Sequence, residues 1–319
     1  MSYMNTRHLS KLIYSQLACA MLLGLYACGS GAPGNPSGGR GNPSSVPGTV
    51  TVGITDASVD NAQEVWVQFT GASIKPTNGT AIDFTFDSVR NINLLSLQGT
   101  IYTDLINDEV IPLGSYDWIR LHVNAANDGI SDSYIKLNDG SVHELWIPSG
   151  SETGLKINTG FELLAAQNLN LMIDFDLRKS VVLSGGTYNL RPTLRMINMN
   201  ASSSITGTID PMLLSAASCS DSDPATGNAV YLFEGTDTIP ADMSNGNTGP
   251  FTSASVALNV SNGNYEYTIG FVPTGDYTLA FTCQADLDDP SANDNITFSF
   301  SENVTLAADQ ITPLPNPVR

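Results

Sequence analysis

Thr49-Val50-Thr51-Val52-Gly53-Ile54-Thr55 alternates small polar and apolar residues with a period of two. Successive side chains of an extended strand point to opposite faces, so this pattern predicts a strand with one face in a core. Glu64-Val65-Trp66-Val67-Gln68-Phe69 and Ala81-Ile82-Asp83-Phe84-Thr85-Phe86 repeat it. So do Tyr116 to Val123, Tyr134 to Leu137, Asn170 to Phe175 and Tyr188 to Ile197. No stripe at helical spacing competes, and Phe161 to Gln167 is the best short-helix candidate. Many strands without long helices predict a β-sandwich over residues 48–200.

Ala201-Ser202-Ser203-Ser204 marks a boundary, and strand patterns resume beyond it. They cover Ile205 to Ile209, Ala229 to Phe233, Tyr265 to Val272, Tyr277 to Cys283 and Ile296 to Phe300. A second, smaller and acidic β-sandwich over 203–319 follows, making the expected fold all-β with two tandem sandwiches. Four strands open alike, with Gly two residues before Tyr: Gly114-Ser115-Tyr116, Gly186-Thr187-Tyr188, Gly263-Asn264-Tyr265 and Gly275-Asp276-Tyr277. The Gly allows positive φ in the turn, while the Tyr packs its ring on the core and keeps its hydroxyl near water.

Ahead of these strands, residues 28–47 are mostly Gly, Pro, Ser and Asn, a composition that cannot offset chain entropy by burial and reads as a disordered tether. Residues 1–27 read as a cleaved lipoprotein signal peptide. Arg7, His8 and Lys11 form its basic start, and Leu12 to Gly24 its apolar run. A helix of that length rises roughly 20 Å, short of a hydrocarbon core of about 30 Å. Leu25-Tyr26-Ala27-Cys28 is similar to a bacterial lipobox, which makes Cys28 the lipidated residue and the membrane a partner through acyl chains. By the same resemblance, the absence of Asp at position 29 implies delivery to the outer membrane.

The whole chain carries a formal charge of −18. Removal of residues 1–27 leaves 11 Lys+Arg against 31 Asp+Glu, a charge of −20. That balance argues against nucleic acid and anionic lipid head groups as partners. Cys19 leaves with the signal and Cys28 is used by the anchor, so Cys219 and Cys283 form the expected disulfide of an oxidising compartment.

Acids give the metal candidates. Asp221 and Asp223 follow Cys219, and Asp286, Asp288 and Asp289 follow Cys283. The disulfide would bring these loops together without a basic residue near in sequence, a donor set suited to Ca²⁺. In the first unit Asp56, Asp174 and Asp176 stand out. Residues 174 and 176 share a strand face, so Arg178, Lys179 or Arg191 is expected to compensate them. His122 and His143 sit at strand spacing and read as solvated strand residues. No Gly-x-Ser-x-Gly, His-Glu-x-x-His or clustered His/Cys set occurs, so no catalytic residue is assigned.

The first unit resembles the DUF4382 family, a domain of unknown function in secreted and lipid-anchored bacterial proteins. The matching stretches are Gly48–Ala57 (GTVTVGITDA), Val65–Pro76 (VWVQFTGASIKP), Asn93–Gln98 (NLLSLQ) and Ile111–Val123 (IPLGSYDWIRLHV). Gly154–Phe161 (GLKINTGF), Leu171–Val182 (LMIDFDLRKSVV) and Tyr188–Ile197 (YNLRPTLRMI) complete them. The resemblance spans nearly all of 48–198 and implies a sandwich but no reaction. Phe271 to Leu279 (FVPTGDYTL) resembles a transthyretin- or carboxypeptidase-regulatory-like sandwich over about one strand pair. The expected function is a non-catalytic, lipid-anchored cell-envelope protein that binds a glycan or envelope protein. The alternatives are a paired-carboxylate hydrolase and a Ca²⁺-stabilised spacer.

Overall fold

The structure is a computed structural model that describes residues 46–57, 62–147, 154–191, 193–219, 223–244 and 249–313. The signal, the tether up to residue 45 with Cys28, and Asp221 lie outside the described residues. The first half holds β1 (Gly48–Ala57), β2 (Ala62–Pro76), β3 (Ile82–Asn93), β4 (Thr103–Ile111), β5 (Gly114–Asn124), β6 (Tyr134–Leu137) and β7 (Val142–Trp146). It continues with β8 (Leu155–Ile157), β9 (Phe161–Leu163), β10 (Asn168–Asp176), the single-turn α1 (Leu177–Ser180), β11 (Val181–Ser184), β12 (Thr187–Leu190) and β13 (Leu194–Asn198). The second half holds β14 (Ser202–Ile209), α2 (Pro211–Leu214), β15 (Ala229–Glu234), β16 (Thr252–Ser255) and β17 (Ala257–Asn259). It ends with β18 (Asn264–Pro273), β19 (Gly275–Thr282), β20 (Phe300–Leu306) and β21 (Ile311–Pro313).

These strands form four sheets. In the first half, a sheet of order β13-β10-β1-β4 accompanies a nine-stranded sheet in which β2 sits between β3 and β5. Val50, Val52 and Ile54 of β1 are fully buried, as their alternation predicts, and join Phe69, Leu121 and Phe175 in one core. In the second half, β17-β18-β14-β21 accompanies β16-β15-β19-β20, around Ile205, Val230, Leu232, Leu279 and Phe281. Residues 229–233 of β15 are buried on both faces because Ile296 and Phe298 cover the outer one, packing on Tyr231 and Phe233.

Three expectations change. Tyr188 to Ile197 is two strands: β12 joins β7 in the large sheet and β13 joins β10 in the other. The break lies between Leu190 and Leu194. Phe161 to Gln167 starts as strand, because Phe161 pairs with Tyr116 and stacks on its ring at 4.7 Å. Ile296 to Phe298 is a covering segment, and the strand begins at Phe300.

The Gly-x-Tyr openings are built as expected at the glycine and differently at the hydroxyl. Gly114 and Gly275 have φ of +131° and +156°, backbone that favours glycine. Tyr116 and Tyr277 then donate their hydroxyls back to the carbonyls of Pro112 and Pro273, at 2.5 and 2.9 Å, instead of facing water. Both halves thus carry Pro-x-Gly-x-Tyr closed by one hydrogen bond.

Burial raises the pKa of Tyr116, Tyr267 and Tyr277 above the ordinary phenol value, most strongly for Tyr267, whose hydroxyl is buried without a hydrogen-bond partner. A group whose folded pKa is raised contributes stability that is complete below its unfolded pKa and lost as pH rises through the folded one. We therefore expect the urea midpoint to fall as pH climbs past about 10. Tyr267→Phe should flatten that fall, and an unchanged slope would show that Tyr267 does not control it.

Candidate functional site

The densest set of buried charge lies where the two halves meet. β10 ends in Ile173-Asp174-Phe175-Asp176, so both carboxylates leave one strand face together. Asp174 is paired in register with Arg195 on β13. Arg195 Nη2 bonds Asp174 Oδ2, and Nη1 lies 3.9 Å from Asp176 Oδ2. Lys179 Nζ, one helical turn on, lies 3.4 Å from Asp176. Of the three expected compensating cations, Lys179 does this, while Arg195 takes the place assigned to Arg178 and Arg191. Burial alone pushes the Arg195 guanidinium down, but Asp174 and Asp176 outweigh it and hold its pKa above the ordinary value.

The same segment reaches into the second half. Arg178 Nη1 donates to the Ala285 carbonyl at 3.1 Å and Nη2 to Ser255 Oγ at 3.3 Å. Lys179 Nζ donates to the Pro250 carbonyl, and the Arg195 guanidinium lies over the Phe251 ring at 4.3 Å. Gly99 and Gly270 touch backbone to backbone, and Tyr102 meets Phe271 edge-on at 5.8 Å. A cavity of about 260 Å³ stays open beside this contact, lined by Asp56, Asp174, Ser253, Ser255 and Glu266 among others.

Cys219 and Cys283 are bonded, with Cα atoms 5.2 Å apart. The bridge does join the two acidic loops: Ala285 N donates to Gly227 O at 2.9 Å, and Gln284 Nε2 to Ser218 O at 2.7 Å. Of the five expected carboxylates Asp221 lies outside the described residues, and the other four do not form one group. Asp223 accepts from Ala225 N in its own turn, Asp286 lies against Gly227, and Asp289 accepts from the N–H and hydroxyl of Ser291, which lower its pKa.

Asp288 instead groups with Asp242 and Asp294, one oxygen of each within 4.8 Å of the others. That spacing fits the coordination sphere of a hard cation. All three carboxylates already accept hydrogen bonds: Asp242 from Ser244 Oγ and Asp294 N, Asp288 from Tyr231 Oη and Met243 N, and Asp294 from Asp289 N. Burial also raises the Asp288 pKa. The trio is therefore a satisfied polar cluster, and by itself it assigns no ion.

The histidines are engaged in hydrogen bonds. His122 Nε2 lies 2.7 Å from Ser73 Oγ, which donates to Asp83 Oδ1 at 2.6 Å. The order is carboxylate–hydroxyl–imidazole, with the buried Ser73 in the middle, whereas a nucleophilic triad needs the imidazole between the other two. His143 contacts Ser141 Oγ at 3.0 Å and the Tyr188 ring at 4.9 Å.

Fold and junction together define an all-β chain of two sheet pairs fastened through buried charge. Its first half is a DUF4382 domain: the family model, described as a domain of unknown function, matches residues 47–192. Among curated proteins nothing matches the chain. Solved structures similar to it include the Bacillus anthracis TIE protein, at 10% identity and a TM-score of 0.18 over 84% of this chain and 33% of that one. The chain thus spans about a third of that protein. A fimbrial protein from Bacteroides ovatus matches at 8% identity and a TM-score of 0.19, over 85% of this chain and 48% of its own. The major pilin subunit of Bacillus cereus matches at 10% and 0.17, over 85% of this chain and 100% of its own. No function follows from scores at this level. No helix among the described residues is long and apolar enough to cross a membrane.

Proposed function

We propose that this chain is a non-catalytic module of the bacterial cell envelope, lipid-anchored at Cys28 and held off the outer membrane by residues 28–47, that binds a glycan or another envelope component. One observation carries the non-catalytic reading. The buried carboxylate pair of β10, Asp174 and Asp176, is engaged by Arg195, whose guanidinium is also stacked on the second half. A paired-carboxylate glycosidase needs one carboxyl free to give up a proton and the other free to face substrate. Here both brace the junction.

The experiment is labelling of cells with radioactive palmitate, followed by membrane fractionation, for the wild type and Cys28→Ser. Label and membrane association lost together in the variant support the anchor, and a variant that stays in the membrane sinks it. Turnover in a glycoside and peptide hydrolase screen, abolished by Asp174→Asn, would overturn the non-catalytic reading.

A further inference from the structure

The outer face of β5 carries a group of cations for which no salt bridge is formed among the described residues. Ile119 and Leu121 point into the core, so Trp118 and Arg120 stand on the opposite face. Arg120 is paired in register with Lys156 on β8, and Trp118 with Lys75 on β2. The Arg120 guanidinium lies over the Trp118 ring at 4.8 Å and Lys156 Nζ at 5.1 Å. One indole thus holds two cations side by side. Lys75 is tied to the Pro76 carbonyl at 2.6 Å. The backbone at Gly154 runs close against the Arg120 stem.

Like charges directly opposite on neighbouring strands destabilise a sheet. Neither Arg120 nor Lys156 has an ion pair among the described residues, and Arg120 Nε is buried with no hydrogen-bond partner. Asp83, on the same face, is two strands from Arg120 and bonded to Ser73. Beyond Lys156, at the β8 edge, a cavity of about 410 Å³ has Lys156 and Arg191 as its charged lining. A chain of net charge −18 with 13 Lys+Arg in all therefore places three of them here around one Trp, with a fourth at the edge.

We propose that this face binds a carboxylate-bearing oligosaccharide of the uronate type. The carboxylate would meet Arg120, whose planar fork takes two oxygens at once, and Lys156. The C–H face of the sugar would lie on Trp118 and the aliphatic stems. Charge distribution selects this occupant over a duplex or an anionic bilayer. Screening confines the patch to about 8 Å at physiological salt, while a broad polyanion would also face the chain's acidic surface. The assignment rests on the glycan-binding reading above and names its ligand class.

The test is calorimetric titration of the full-length chain with de-esterified oligogalacturonate, its fully methyl-esterified counterpart and phosphatidylglycerol vesicles. The de-esterified oligomer is expected to bind, with the esterified one at least tenfold weaker. Arg120→Gln/Lys156→Gln should lose at least tenfold, and Arg120→Lys, which keeps the charge but not the planar fork, should lose less than that double variant, which separates lost charge from misfolding. Equal binding by wild type and the double variant would overturn this site and leave glycan binding standing elsewhere. Patch-dependent binding of vesicles alone would overturn the sugar assignment. If the oligogalacturonate and the vesicles both fail to titrate, the proposal falls; the broader reading then falls only if neutral glycans and envelope fractions fail too.

Discussion

Reduction of the Cys219–Cys283 bridge is expected to lower the unfolding free energy by about 4 kcal/mol. The bond closes a sequence separation of 64 residues, and most of its effect is the entropy it removes from the unfolded chain. Native contacts act in the same direction. Cys283 is buried where β19 ends, and Cys219 packs on the same core, so the bridge fastens the stretch after α2 to the sheet. A domain is commonly stable by only about 5–15 kcal/mol, so the reduced protein should unfold at clearly lower urea. Urea titrations with and without a phosphine reductant, alongside Cys219→Ala/Cys283→Ala, measure this. A midpoint that moves by less than a tenth would show that the segment is held by other contacts.

Arg195→Ala is expected to cost about 3–5 kcal/mol, because it leaves two buried carboxylates without their shared cation. Asp174 and Asp176 face the same space, and Lys179 reaches Asp176. Asp174 would be left opposite a shortened side chain. The loss also removes the guanidinium stacked on Phe251, so the junction between the halves should weaken along with the first half's own sheet. Replacing the group, as Arg195→Met with Asp174→Asn and Asp176→Asn, should recover most of the loss, since the one charge left without its carboxylate, Lys179, is partly exposed and still donates to the Pro250 carbonyl. Chemical denaturation followed by the tryptophans of the first half checks both variants. A single variant as stable as wild type would mean that solvent already compensates the pair.

These results bear on how much of the molecule was legible in the sequence. β1 was readable because its large apolar side chains, Val50, Val52 and Ile54, all share one face while small or polar residues hold the other, and the period-two pattern records that directly. β4 was not, since Asn107-Asp108-Glu109-Val110 is exposed on an edge strand and interrupts the alternation. The break between Leu190 and Leu194 hid the partner of Asp174. Taken as one strand, residues 188–197 gave no reason to place Arg195 opposite that carboxylate.

The disulfide followed from counting cysteines and compartment. Asp288 was found because it lies near Cys283, but Asp242 and Asp294 come from other segments and match no ligand spacing. The cation pair on Trp118 depends on β8, a three-residue strand too short to leave a pattern.

The sheet order has a kinetic consequence. β1 pairs in parallel with β10, aligning Thr49 with Asn168 and Ala57 with Asp176, and β14 pairs in parallel with β21, aligning Ser204 with Ile311. In each half the first strand lies inside its sheet and waits for one of the last to complete it. Such contacts between distant parts of the chain make folding slow, because loop closure must precede any reward. A nascent chain cannot finish either half until nearly all of that half has been made. The topology thus delays closure of each half until late in its synthesis.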